Sequence, residues 1–400
     1  MFRRLAHTLI AAAALVIAAR GFFVLGLVAP LQVEGSSMAT SLLGRHAEFA
    51  CEACGEVAHV GADQLPLDGR FSCPACAAVV ERADKPLSRG DRILVDRTSA
   101  TPRRWDRFVL RRPDDSSTLC VKRVLGLPGE RVDFRCGDLW IDERVVRKTL
   151  DQQRAARVLI DDDDRSWLAI GAGWKRVSSG WRHSPVDGAS GSLAFRDASG
   201  VFIDDGLACN QAVSRRLNRV ADLMLTAQVA LARGSSCTIE IDLGGELVRA
   251  VLDDKKREAR LLAIGGDSQR SRVTALPSVV AGSSLRILLS TFDRHAVLGI
   301  NDCEVSILPL QAVKTTDSAS RLSVFASPQA KVGIEDLAVW RDVYYEWRPT
   351  DFRPASKGGQ VLGPDEWFVV GDNQAVSDDS RSWRSPALGR LLVGRVAATW

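Results

Sequence analysis

The sequence predicts a mainly β protein carried on one N-terminal transmembrane helix, and three observations predict it. An apolar run opens the chain. Short segments of alternating apolar residues recur through its second half. Elsewhere, strand-like runs are separated by clusters of Gly, Pro and Asp. The 400 residues are too many for one simple core and imply two or three domains. With 46% hydrophobic and 26% charged residues, wholesale disorder is excluded. The net charge of +4 is spread along the chain and gives no basis for a nucleic-acid partner.

Residues 1–31 form the predicted anchor. Arg3 and Arg4 precede the apolar run Leu5–Ala19, and apolar character resumes after Arg20 through Gly21–Leu31. Extended through Arg20, the segment reaches the roughly 20 residues a bilayer requires. A cleaved signal peptide with its apolar core at Leu9–Ala19 is the alternative. The continuing apolar stretch favours an uncleaved single-pass anchor. Positive-inside bias then keeps the N-terminus cytoplasmic and places everything after Leu31 outside.

Residues 46–85 carry Cys51-x2-Cys54 and Cys73-x2-Cys76, separated by eighteen residues. Two such knuckles can direct four thiolates at one ion, so a zinc-ribbon-like insert with structural zinc is expected. Two disulfides are the alternative in an oxidising compartment. The full count of nine cysteines is odd, so they cannot all pair within one chain.

Residues 86–145 predict strands at Arg92–Val95, Arg107–Leu110, Leu119–Leu125 and Leu139–Ile141. Residues 146–345 open with a polar segment containing Asp161–Asp164, expected as a solvated acidic loop. Strict alternation follows at Leu223–Leu231, Cys237–Leu243, Leu285–Leu289, Val305–Ile307 and Ile334–Val339. Many short strands predict a β-sandwich insert, and the ending GIEDLAVWRDVYY resembles concanavalin-like and laminin-G-like sandwiches. Its ligand is not legible. Residues 346–400 return to the Gly-punctuated β texture.

Five segments, in this order, resemble the type I signal peptidase family: the anchor, GSSM (35–38), RGDRILV (89–95), KRVLGLPGERV (122–132) and GDNQAVSDDSR (371–381). The resemblance covers roughly residues 1–45, 86–145 and 360–396. It implies a peptidase core built from 32–45, 86–145 and 346–400, and a serine endopeptidase that removes signal peptides from exported preproteins at a membrane. By position it assigns Ser37 as nucleophile and Lys122 as general base, with the Ser37 backbone N–H holding the oxyanion. Ser377 matches the hydroxyl that orients the lysine, and Asp379 and Arg381 match the pair that braces the site. No cofactor takes part in the cleavage it implies. Two positions depart from the family: Gly35 replaces an oxyanion serine, and Met38-Ala39-Thr40-Ser41 lacks a proline. A membrane-anchored lectin-like protein on a decayed peptidase scaffold is the alternative, as is a serine–lysine autoprotease. Because every matched position lies outside the sandwich, that insert is expected to be removable without loss of the site.

Overall fold

The computed structural model describes residues 2–24, 26–74, 76–81, 86–98, 101–162, 166–186, 191–195, 203–277, 284–311, 320–348, 351 and 359–400. A helix runs over Phe2–Val24. Its stretch Arg4–Phe22 has a mean hydropathy of 1.7 and buries none of its length against the protein. Leu5, Leu9, Leu15, Val16 and Ile17 are all exposed, so their apolar surface has no protein partner among the described residues. The helix is long enough to serve as an anchor or as a signal sequence.

The anchor does not extend to Leu31. Gly26 takes a left-handed φ of 70°, a conformation that ends helices and that glycine adopts without strain. Val28–Gln32 is instead the edge strand of a sheet, antiparallel to Arg92–Asp96. Pro30 lies in it, and an edge strand tolerates the missing N–H.

That sheet has seven strands, in the order Val28–Gln32, Arg92–Asp96, Leu392–Thr399, Arg107–Arg111, Leu119–Gly126, Glu366–Val370, Ala387–Leu388. A second, four-stranded sheet contains Arg131–Arg135 flanked by Asp138–Ile141 and Gln360–Val361, with Arg144–Val145 beyond Asp138–Ile141. Leu119–Gly126 and Glu366–Val370 are far apart in sequence yet pair directly, with Val124 opposite Val369 and Arg123 opposite Val370. The chain between them therefore leaves the core and returns to it.

The cysteine insert is two hairpins, His46–Ala50 with Val57–Gly61 and Arg70–Ser72 with Val79–Glu81. Each C-x2-C sequence lies in the turn of its hairpin. Phe49 stacks on Phe71 at 4.9 Å, which fastens the two hairpins over a small apolar core.

The larger insert is a sandwich of an eight-stranded and a seven-stranded sheet. Leu223, Leu225, Ala227 and Val229 on one sheet and Cys237, Ile239 and Ile241 on the other point into one core, as period-two alternation requires. Asn301 and Asp302 form the turn after His295–Ile300 with φ of 47° and 70°, the left-handed pair a tight hairpin needs. The polar segment before the sandwich contains a short helix, Leu150–Ala156, capped by Thr149 and Gln152 in a capping box. Asp161 of the predicted acidic loop ends a strand beside Val332–Arg341; Asp163 and Asp164 lie outside the described residues.

The sandwich is fastened to the core by Lys148. Its Nζ donates to Asp293 Oδ1 and Asp342 Oδ2, both at 2.7 Å, and lies 4.4 Å above the Trp105 ring. Burial disfavours the ammonium, but the two carboxylates outweigh it and hold the Lys148 pKa well above its ordinary value. Removing a buried cation leaves its carboxylates desolvated and uncompensated. Lys148→Met should therefore destabilise the protein by about 3–5 kcal/mol in urea unfolding. Adding Asp293→Asn and Asp342→Asn should recover part of that loss. A Lys148→Met variant as stable as the parent would show that the cluster holds nothing together.

Candidate active site

Lys122 lies on Leu119–Gly126, where the strand passes from exposed to fully buried. Its side chain is 2% exposed. The ammonium donates to Ser377 Oγ at 3.1 Å, its sole hydrogen bond among the described residues, and no carboxylate lies within ion-pair reach of it. Burial pushes the Lys122 pKa down, and the more distant charge of Asp379 offsets this only in part. A lysine in such a place holds its proton weakly.

The loop after Glu366–Val370 carries the partner groups. Gly371 N–H points at both Ser377 Oγ (3.1 Å) and Asp379 Oδ2 (3.0 Å). A Cβ on Gly371 would stand 2.2 Å from the Ser37 carbonyl oxygen and 2.3 Å from Ser377 Oγ. Only glycine lets the loop approach both serines this closely. Asp379 receives the Arg381 guanidinium in two bonds, 2.9 Å from Nε and 2.8 Å from Nη2, with both side chains fully buried. Burial would raise the Asp379 carboxyl, but Arg381 and Lys122 bring it down to about 2. Arg381 Nη1 also donates to Gln374 Oε1 at 2.7 Å and so fixes the loop on itself.

Ser37 is half-buried in the single 3-10 turn Ser36–Met38. Met38 is fully buried with Val33, Leu42, Ile93 and Val95, which anchors the turn. From the other side, Asn373 N–H donates to the Ser37 carbonyl and its Nδ2 to the Ser36 carbonyl, each at 3.1 Å. Ser37 and Ser377 thus face one loop. The Ser37 hydroxyl makes no hydrogen bond among the described residues. The backbone N–H of Ser37 also lacks a partner among the described residues. Ser36 is not: its N–H and hydroxyl both bond to Asp63.

Five residues that support this arrangement escaped the sequence analysis. Asp63 comes from the cysteine insert. Asn210 comes from the larger insert and exchanges two amide hydrogen bonds with Asn373, at 2.7 and 2.8 Å. Asp372 accepts the Ser41 hydroxyl and pairs twice with buried Arg123, at 2.6 Å. The Ser41–Asp372 bond holds the loop in which the family's proline is missing. The larger insert thus reaches the loop at the site, because Asn210 bonds the same Asn373 that bonds the Ser36 and Ser37 carbonyls. Arg123, Asp372 and Asn373 lay inside recognised segments; nothing in the sequence ties Asp63 or Asn210 to them.

Residues 71–180 match the family model described as signal peptidase, peptidase S26. The match contains Lys122 and leaves out Ser37, Ser377, Asp379 and Arg381. It supports the signal peptidase family and a peptidase. No curated protein matches the chain. Among solved structures, the carbohydrate-binding module CBM66 of Bacillus subtilis is similar at 10% identity and a TM-score of 0.29, over 44% of this chain and 94% of that one. A Bacillus subtilis protein of unknown function with a galectin-like fold is similar at 14% identity and a TM-score of 0.33, over 45% and 91%. The Bacillus licheniformis β-glucanase is similar at 6% identity and a TM-score of 0.31, over 44% and 92%. These scores carry nothing about a ligand.

The four knuckle cysteines converge as their spacing predicts. Cys51 and Cys76 sulfurs are 3.6 Å apart, as are those of Cys54 and Cys73. All four lie within 4.8 Å of one another, and none is in a disulfide. Sulfurs at 2.3 Å around a tetrahedral ion would be about 3.8 Å apart, so the cluster has the dimensions of a metal site. The positive-φ residues Gly55 (79°) and Ala77 (60°) close the two turns.

The two buried lysines predict opposite responses. Lys148 is paired and Lys122 is not. Because the Lys122 pKa is lowered on folding, the unfolded chain binds its proton more tightly, and the native state gains stability as pH rises. Lys122→Met should then be as stable as the parent or more stable by about 1–3 kcal/mol at neutral pH. The difference should shrink as pH approaches about 10.4, where the unfolded amine also loses its proton. Urea unfolding across pH measures this; a clear loss of stability at neutral pH would mark Lys122 as a structural cation.

Proposed function

We propose that this chain is a membrane-anchored serine–lysine endopeptidase that removes signal peptides from exported preproteins. The observation that carries the reading is the Lys122 amine, buried on Ser377 with no carboxylate partner. A serine hydroxyl is a poor nucleophile until a base takes its proton, and an ordinary lysine is protonated at neutral pH. Burial supplies the missing property.

In the proposed reaction, Lys122 Nζ accepts the Ser37 proton as Ser37 Oγ attacks the scissile carbonyl. The Ser37 N–H holds the resulting oxyanion. Lys122 then returns the proton to the departing amine, leaving the acyl group on Ser37. Water attacks that ester with Lys122 again as base, and Ser37 is regenerated. Ser377 fixes the direction of the amine throughout, while Asp379 and Arg381 hold Ser377 and Gly371 in place. Substrates of the A-x-A kind would be chosen by their small residues before the cut.

The helix Phe2–Val24 is proposed as an uncleaved anchor with a cytoplasmic N-terminus and an extracytoplasmic catalytic part. Membrane lipid and preproteins are then the partners, and no cofactor enters the cleavage. Cys51, Cys54, Cys73 and Cys76 are proposed to hold a structural zinc. Four thiolates leave no open position for water, and the ion would stiffen the insert that presents Asp63 to Ser36.

Two outcomes test this. With detergent-solubilised protein and a preprotein, Ser37→Ala and Lys122→Arg should leave no cleavage above background, and Ser377→Ala should lose about 10²-fold. The parent's rate should fall on the acid side as Lys122 takes up a proton, at an apparent pKa below about 10.4. Cleavage that survives Lys122→Arg would exclude the dyad, because guanidinium cannot accept the proton. Separately, Cys51→Ser with Cys54→Ser should abolish thiolate-bound metal and lower activity through the Asp63 contact. Mapped disulfides among the four cysteines would replace zinc by the alternative.

A further inference from the structure

The face of the His46–Ala50 and Val57–Gly61 hairpin opposite its apolar core carries a second cluster of metal-ligating groups. Period-two alternation sends Ala47, Phe49, Ala58 and Val60 into the core and turns His46, Glu48 and His59 to the other side. The register sets Glu48 directly across from His59, and His46 across from Gly61. One ring nitrogen of each histidine and one carboxylate oxygen of Glu48 all lie within 4.8 Å of one another. This cluster is distinct from the four cysteines, which sit in the turns.

Two further observations point to a bound ion. His46 Nδ1 donates to the Gly44 carbonyl at 2.8 Å, which leaves the Nε2 lone pair free. A backbone carbonyl on the far nitrogen is the usual way a protein fixes a metal-binding imidazole. His59 Nδ1 is buried and has no hydrogen-bond partner among the described residues, a costly state that a coordinate bond would relieve. Glu48 is exposed, and among the described residues it accepts one long bond, from Ser88 Oγ at 3.3 Å, so it can swing to close the site.

We infer that His46, Glu48 and His59 form a second metal site, for a borderline divalent cation such as zinc. Two imidazoles and one carboxylate suit that class of ion and leave one position for water. The site would also bear on Ser37. Gly61 faces His46 across the hairpin, and a Cβ there would stand 1.8 Å from Ser36 Oγ and 2.9 Å from Asp63 Oδ1. An ion joining the two strands would fix the end of the hairpin from which Gly61 and Asp63 hold the nucleophile turn. His46, Glu48 and His59 are positioning residues in this role, acting through Asp63 and Ser36.

The test is cobalt binding to the full-length protein, stripped of metal under reducing conditions and titrated with Co²⁺. Expected are two ions per chain, one with intense thiolate-to-metal charge transfer and one with weak ligand-field bands alone. His59→Gln and, as a milder change at an exposed position, Glu48→Gln should each remove the second ion and keep the charge-transfer band. Cys51→Ser with Cys54→Ser should do the reverse, so failure of the cysteine site leaves this one visible. A parent protein whose cobalt is all thiolate-bound, or Glu48→Gln and His59→Gln variants that both keep the second ion, would overturn the assignment.

Discussion

A lysine amine sealed from water beside a single hydroxyl is the constraint on which the rest of this structure depends. Desolvation disfavours the charged amine by several kcal/mol unless a counter-ion compensates it, and among the described residues Lys122 has none within ion-pair reach. Lys148 shows what the same fold does when a lysine is structural: two carboxylates at 2.7 Å and an aromatic face surround it. The difference lies in where the acids are used. Asp379 is committed to Arg381 in a bidentate pair, and Asp372 to Arg123. Asp378 of the same loop pairs with Arg112, so each of these carboxylates has an arginine and the amine is left with Ser377.

Keeping the amine dry requires close packing from several parts of the chain. The core sheet supplies the strand that carries Lys122, and the Gly371 loop comes in from residues beyond the larger insert. The Ser37 turn is held by contacts from both inserts, through Asp63 and Asn210. The sandwich does more than decorate the surface, since it sets the half-buried Asn210 amide against Asn373. Both inserts thus touch the residues that hold the Ser37 turn, the hairpins through Asp63 and the sandwich through Asn210.

Much of the fold was legible because burial and periodicity agree. In Leu223–Leu231, Leu223, Leu225, Ala227 and Val229 alternate along a central strand and share one face in the sandwich core. Leu247–Asp253 follows the same rule, with Val248, Ala250 and Leu252 buried, but Arg249 on its other face and the charged turn after it obscure the pattern. The end of the helix was misjudged because Gly21–Leu31 is equally apolar as helix or strand; the deciding features are the left-handed Gly26 and Pro30. The capping box at Thr149–Gln152 was written in the sequence and overlooked among its polar neighbours. In the site, Ser37, Lys122, Ser377, Asp379 and Arg381 were recognisable as positions in a resemblance. Asp63 and Asn210 were not, since their roles arise only when separate segments fold against one another.

The central claim is that Lys122 is a neutral amine at the pH where the protein works. Nitrogen-15 NMR of the side-chain amines, with Lys122→Met used to assign the resonance, reads that state directly. The account predicts that the Lys122 resonance titrates well below the other lysines and is largely unprotonated in mildly alkaline solution. A Lys122 amine that stays protonated up to about 10.4, alongside solvent-exposed lysines, would contradict it.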